Sequence, residues 1–541
     1  MYRNGGVERL LFFYVCFFVH GILLHVLSSC TIIYFGILWS HKRGVYMTKK
    51  HAGRICLILF VAAIIFVGCK SKNVGVIVPP SEQTYQADVT DLSKAFAMIL
   101  ENGTREFFNE YPVDYAFLHW VGINYGEDVI LDIAYAFYEG SVDEDTWYKM
   151  TGRSMHVLWL EYCKDMQYAT YYLENVHWME CASDEVVTLD FTGDINFADE
   201  WHTMQVLVER ENGIYDCIAS EVVEELQSAD LSVINNEFVF TDGGDRQWNK
   251  AYTFGAKTEH VSMLEAFGAD LANLANNHTY DYSASGLMDT IATLEGAGIE
   301  TMGAGANIKE AKAIQYYVAN GKKIAIVSAT EIERFSNYTK EATETEAGVL
   351  KTLHPAVYEA VIAEADKNSD YVIANVHWGI EGTYQYNNSQ QSLASGFVEA
   401  GADAVIGGHP HRLQGIEFIS GVPVVYSMGN FWFSTGTLYT EIVQLQIDSE
   451  GEMNLRVIPC IQQELATRML NEEEQDAFYK FMADISYGVV INPEGFVYNT
   501  QNGENAELLD GTNYQSSMNY GSYNGMIDLE GRSIDIVGNL R

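Results

Sequence analysis

Leu271-Ala272-Asn273-Leu274-Ala275-Asn276-Asn277-His278-Thr279-Tyr280-Asp281 opens as a short apolar run and breaks at once into amides, an imidazole and a carboxylate. A run this short, followed by an amphipathic stretch at 283–295, reads as a buried strand whose C-terminal end opens into a polar loop before a helix. The pattern recurs on both sides. Residues 186–191 lead into Asp194-Ile195-Asn196, residues 231–235 into Asn235-Asn236-Glu237, and residues 371–376 into His377-Trp378-Gly379-Ile380-Glu381. Residues 404–406 lead into Gly407-Gly408-His409-Pro410-His411, while 323–328 form a further strand and 355–366 and 389–399 further helices. Alternation of this kind predicts an α/β fold with buried strands covered by helices on both faces. Beyond Gly407 the pattern turns hairpin-like, at 414–418, 422–427, 441–448 and 453–459, which predicts antiparallel strands closing the sheet.

Each polar cluster stands at the C-terminal end of a predicted strand, where the loops of an α/β sheet gather into one site. Carboxylate, amide oxygen and imidazole are donors suited to divalent Mn, Zn, Fe or Mg. Any one of these clusters alone is weak, since a solitary His-x-His or Asn-His is more often a surface feature than a ligand set. Other features read as structure: Gly303-Ala304-Gly305 as a strand-end turn, because no Gly-Lys-Ser/Thr follows, and His156 and His177, set among Trp and Tyr, as packed core histidines.

The charge balance narrows the function classes. The 541 residues carry 32 Lys+Arg against 73 Asp+Glu, a net charge of −41. Nine of the basic residues and one of the acidic ones lie in the first 72 positions, leaving 23 against 72 in the body. So acidic a body repels phosphate backbones and argues against nucleic-acid binding. Of the eight cysteines, Cys163, Cys181, Cys217 and Cys460 fall in the folded part without a CxxC pair. They read as small buried hydrophobes rather than a thiolate cluster, with a Cys163–Cys181 bridge left open.

The N-terminus holds two apolar stretches, 10–39 and 55–68. From Met47 the order is a basic segment, an apolar segment and a small residue before Cys69, the order of a secretory signal. Phe66-Val67-Gly68-Cys69 resembles a bacterial lipobox with Cys69 as the lipidated residue. Two rival readings are that both stretches span a membrane, and that residues 1–46 are an untranslated extension. All three readings expect a body outside the cytoplasm or tethered to the membrane.

Taken in order, Gly193-Asp194, Asn235-x-Glu237, Ala275-Asn-Asn-His278-x-x-Asp281, Gly303-Ala-Gly305, Val376-His-Trp-Gly379-x-Glu381, Gly401-Ala-Asp403, Gly408-His-Pro-His411 and Tyr426-Ser-Met-Gly-Asn430-Phe431 resemble the CapA or poly-γ-glutamate capsule synthesis family, relatives of the calcineurin-like metallophosphoesterases. The resemblance runs over about 186–434. It implies a metallophosphoesterase-like layered β sandwich flanked by helices, and a two-metal site lined by Asp194, Glu237, Asn277, His377, His409 and His411. It also implies His278 and Asp281 as catalytic residues, with His278 as acid. Asn196, Asn235, Glu381 and Asn430 are expected around substrate or behind the ligands. Two departures stand out: Asn196 where the wider pattern has Asp-x-His, and Asn235-x-Glu237 where it has a bridging Asp. An efficient phosphatase, a one-metal enzyme and a binding protein on a catalytic scaffold all remain open.

The expected organisation is an N-terminal extension or membrane segment (1–46), a signal and lipobox (47–72), a linker (73–87), a helical domain (88–184), the CapA-like domain (185–465) and a partly irregular C-terminal region (466–541). The expected role is synthesis, export or anchoring of an anionic capsular polymer at the extracytoplasmic face of a bacterial membrane, beside membrane-bound synthase subunits. The rivals are a secreted metal-dependent phosphoesterase on a phosphorylated envelope substrate, and a non-catalytic envelope scaffold.

Overall fold

The computed structural model describes residues 92–110, 115–138, 144–168, 175–333, 338–509 and 511–516, with two short pieces at 526–527 and 533–534. The apolar N-terminal stretches, Cys69 and the linker at 73–87 lie outside these residues, as does the side chain of His156.

Two large sheets form the body. Six strands carry the site: β1 (Val186–Ile195), β2 (Leu231–Asn236), β3 (Leu271–Asn273), β4 (Tyr371–His377), β5 (Ala404–Gly408) and β6 (Asn430–Trp432). The first three lie side by side and parallel in an eleven-stranded sheet, with β6 paired parallel to β1. Strands β4 and β5 are parallel neighbours in a seven-stranded sheet. The hairpin strands Leu413–Ile419 and Val422–Met428 close the seven-stranded sheet at one edge, and Leu438–Asp448 with Met453–Gln463 extends the other sheet beyond β1.

Period-two alternation assigns each strand two buried faces. In Lys322–Thr330, Ile324 and Ile326 point into the space between the sheets with Leu189, Phe191, Val233 and Leu271. Ala325, Val327 and Ala329 point the other way, into a core shared with the helical layer. On the outer face of the larger sheet, Ile234, Ala272 and Ile442 pack with Leu226, Leu264 and Leu287 from three helices. The result is four layers: helix, sheet, sheet, helix. The sequence-predicted strands are all present, several one to three residues longer, because ladder bonding continues into the polar residues at their ends.

The N-terminal and C-terminal stretches, set apart in the sequence reading, share ladders and core with this sandwich. The helices between Leu92 and Tyr168 bury Phe96, Trp120, Ile133 and Trp159 in the same cluster as Ala325 and Val376. After them Val176–Trp178 adds a parallel edge strand beside Gln315–Ala319, so the segment 88–184 is not wholly helical. Past residue 465, Ala466–Met469 pairs with Met453–Gln463, and the helix Glu472–Ile485 packs Phe478 and Met482 between the sheets. Cys181, Cys217 and Cys460 are free thiols, the last two buried. His177 is a packed residue, stacked on Tyr317 at 5.0 Å and within 3.0 Å of Gln315.

Two glycines hold the sheet ends together. A Cβ on Gly193 would stand 2.1 Å from the Gly429 carbonyl oxygen, and one on Gly407 would stand 2.2 Å from that of Tyr426. Only a residue without a side chain allows these backbones to meet.

His119, on the helix Ala116–Tyr125, is fully buried, and its Nε2 accepts a hydrogen bond of 2.8 Å from Trp178 Nε1. Burial, aided by the charges of Lys323 and His177, pushes its pKa from 6.5 down to about 3. The unfolded chain therefore binds a proton between these values that the folded chain refuses, and stability falls as pH drops through that window. The His119→Gln variant is expected to show a shallower acid decline than the native chain, read from urea midpoints at pH values above and within the window. An identical decline would remove His119 from the account.

Candidate metal centre

The C-terminal ends of β1, β2, β3, β4 and β5 meet at one end of the two sheets. Register places Asp194 opposite Asn235, Asn235 opposite Asn273, and His377 opposite Gly408. The sheets come close here: a Cβ on Gly408 would lie 3.4 Å from Asp194 Oδ1. His409 and His411 stand in the turn after β5 with φ of 98° and 56°. Positive φ at non-glycine residues costs of order 1–3 kcal/mol each and persists where surrounding structure enforces it. That turn aims both imidazoles inward.

At the centre is Glu237, fully buried, with neither carboxylate oxygen bonded to any donor among the described residues. Its Oε1 lies 3.6 Å from His377 Nε2, 3.9 Å from His411 Nε2 and 4.0 Å from His278 Nε2. Two ligand groups form around it: Glu237 with His377 and His409, and Glu237 with Asp194 and His411. Glu237 belongs to both, the position of a bridging carboxylate. Asn277 adds its Oδ1, 2.8 Å from His377 Nε2. An unpaired buried carboxylate beside a second carboxylate is a costly arrangement that cations relieve, so the donor set fits divalent ions.

The electrostatics agree. Burial, then the charge of Asp194, raises the Glu237 carboxyl well above its ordinary value. For Asp194 burial acts in the same direction, but His411, His377 and the 2.6 Å bond from Asn235 Nδ2 outweigh it and hold the carboxyl below its usual range. Burial pushes His377 down to about 3 and His409 well below normal, leaving neutral imidazoles of the kind that bind metal. His411 goes the other way: burial lowers it, but Asp194, 2.9 Å away, lifts it above its ordinary value.

His278 points Nε2 toward Glu237 while its Nδ1 lies 2.7 Å from Asp281 Oδ2. Asp281 is fully buried behind it and bonded to Phe254 N and Lys250 Nζ, so it orients the imidazole instead of facing the cavity. Asn235 bonds Asp194 and accepts from Asn273 and Asn276. Asn430 Oδ1 lies 2.7 Å from His411 Nδ1, behind the ligand. Asn196 accepts from Ala198 N and shapes the loop. Glu381 is 65% exposed and 3.9 Å from His409 Nε2, beyond hydrogen-bond reach. The sequence reading passed over Asn273, Asn276, Lys250 and Thr339. The two amides were part of a quoted motif, whereas Lys250 and Thr339 come from loops whose spacing carried no signal.

Two sheets converging on a shared buried carboxylate and three imidazoles define an α/β sandwich protein with a candidate two-metal centre. A family profile described as bacterial capsule synthesis protein PGA_cap matches residues 188–435. The PGA biosynthesis protein CapA of Bacillus subtilis is 31% identical over 51% of this chain and 72% of its own length. The capsule biosynthesis protein CapA of Bacillus anthracis is 32% identical over 52% of this chain and 69% of its own. The chain belongs to this capsule synthesis family. Among solved structures, a dimetal phosphatase from Danio rerio is similar at 10% identity, covering 44% of this chain and 97% of that one with a TM-score of 0.26, too distant a likeness to bear on the site.

Because the folded Glu237 carboxyl is raised above its unfolded value, it withdraws stability from the metal-free chain as pH rises above 4.5. Glu237→Gln is therefore expected to melt at or above the native temperature at neutral pH without metal, and to lose the upward shift that Mn²⁺ gives the native chain by mass action. A variant that melts lower and still responds to Mn²⁺ would contradict this in thermal scans.

Proposed function

We propose that this protein is an extracytoplasmic CapA-like component of the synthesis, export or anchoring of an anionic capsular polymer such as poly-γ-glutamate, and that its centre performs metal-dependent hydrolytic chemistry. The single observation that carries the chemistry is the donor-free Glu237 carboxylate shared by two ligand groups. The polymer rests on the likeness to the PGA and capsule biosynthesis proteins of the two Bacillus species.

Asp194, Glu237, Asn277, His377, His409 and His411 would hold two divalent ions, of Mn, Zn, Fe or Mg type. When bound, such ions polarise a phosphoryl or acyl oxygen and make a water more acidic. The remaining work falls to the chain. Asp281 fixes His278 by its Nδ1, so that Nε2 faces the cavity and delivers a proton to the leaving oxygen. Burial lowers the His278 pKa and Asp281 partly offsets this, so the doubly protonated ring that donates from Nε2 is the form that the Asp281 carboxylate sustains. The strained turn at His409 and His411 keeps both imidazoles in place before any ion arrives.

A second reading, a metal-dependent phosphoesterase acting on a phosphorylated envelope substrate, is supported by the same ligand set and separates from the first only in the cell. The expected result is that the purified, Mn²⁺-loaded protein cleaves a generic phosphodiester, that His278→Ala lowers the rate by about 10²–10⁴-fold, and that deletion of the gene reduces surface polymer. Activity without a polymer phenotype would favour the second reading. No metal uptake at any concentration would end both.

Anchoring through Cys69 is supported by the signal-like order of the residues before it. Mass spectrometry of the mature chain is expected to find a lipidated Cys69 as first residue; an intact Met1 joined to an unmodified Cys69 would overturn the anchor.

A further inference from the structure

The two-residue strands Val239–Phe240 and Gly255–Ala256 pair in parallel and bracket a loop that folds back on the segment 277–281. Gln247 N donates to the Asp281 carbonyl at 2.8 Å, and its side-chain amide donates to the carbonyls of Tyr280 at 2.7 Å and Tyr338 at 2.8 Å. Three residues on, Lys250 enters with a side chain only 6% exposed. Its ammonium lies 2.8 Å from Asp281 Oδ1 and 3.5 Å from Glu333 Oε1, and it donates to the main-chain carbonyl of Asn277. Thr339 Oγ1 donates to the same carbonyl at 3.1 Å, and Phe254 N donates to Asp281 Oδ2 at 2.7 Å.

One cation thus ties together the two residues that matter on this side of the cavity. Asn277 presents its Oδ1 to His377 Nε2, and Asp281 holds His278. Burying an ammonium is costly and is repaid only by close, fully used geometry. A simple stabilising pair would need one carboxylate, yet Lys250 also pins a peptide carbonyl at the turn from which Asn277 reaches His377 and His278 reaches toward Glu237. We infer that Lys250 is a positioning residue of the two-cation site, holding the 277–281 turn so that the Asn277 amide and the His278 imidazole keep their places around Glu237. This rests on the two-cation reading given above.

The test uses the purified chain, Mn²⁺ as probe, and two readouts: calorimetric affinity, and the ¹⁵N resonances of the His278 ring in the metal-free protein. Lys250→Met is expected to weaken Mn²⁺ binding by about tenfold or more and to move the ring resonances, while Lys250→Arg, which keeps the charge, stays closer to native in both. Native affinity with unmoved ring resonances in Lys250→Met would overturn the inference. If that variant does not fold, the native protein decides: a Lys250 ammonium protected from solvent exchange supports the clamp, and free exchange overturns it. A native chain that binds no Mn²⁺ defeats the two-cation reading instead, and the ring resonances alone then judge whether Lys250 holds His278.

Discussion

A carboxylate buried without a donor, with a second buried carboxylate and several imidazoles around it, is a costly arrangement that a cation would relieve. Glu237 stands in that position at the junction of two sheets, with Asp194 beside it and imidazoles 3.6–4.0 Å away on three sides. Leaving a buried polar group unpaired costs about 1–3 kcal/mol, and more when the group is charged. In the metal-free chain burial and the charge of Asp194 raise the Glu237 carboxyl well above its ordinary value, while His411 and His377 hold the Asp194 carboxyl below its own. The strained backbone at His409 and His411 adds to the cost. Among the described residues three apolar cores, one between the sheets and one outside each, supply the stability that tolerates it.

The layering also explains why the site has this composition. Parallel strands buried on both faces must be apolar along their length, so polar groups concentrate where the strands end. Asp194, Asn235, Asn273, His377 and the residues after Gly408 are all such ends, brought together by register across both sheets. The close approach of Gly193 to Gly429 and of Gly407 to Tyr426 lets neighbouring strands run on to the point where the ligands emerge.

Much of this was legible in the sequence. The alternation of short β-branched runs with amphipathic stretches placed the strands from Val186 onward, and the motif order placed Asp194, Glu237, Asn277, His278, His377, His409 and His411 in one neighbourhood. The doubt attached to Asn235-x-Glu237 takes a different form in the structure: Glu237 is common to both candidate ligand groups, and Asn235 donates to Asp194. Long-range pairing was not legible. The strand Val176–Trp178 looks like the tail of a helical region because three residues carry no readable period, and its partner lies 140 residues away. Lys250 was invisible for the same reason, since a lysine in a polar loop declares its role only when the fold brings Asn277 and Asp281 to it. Glu381 shows the converse: proximity in sequence to His377 suggested a partner, yet its side chain stands mostly in solvent.

The central claim is that Glu237 bridges two cations, and anomalous diffraction from crystals of the protein grown with Mn²⁺ tests it most directly. The account predicts two anomalous peaks flanking the Glu237 carboxylate, one toward His377 and His409 and the other toward Asp194 and His411. An empty cleft, or a single ion held without Glu237, would contradict it.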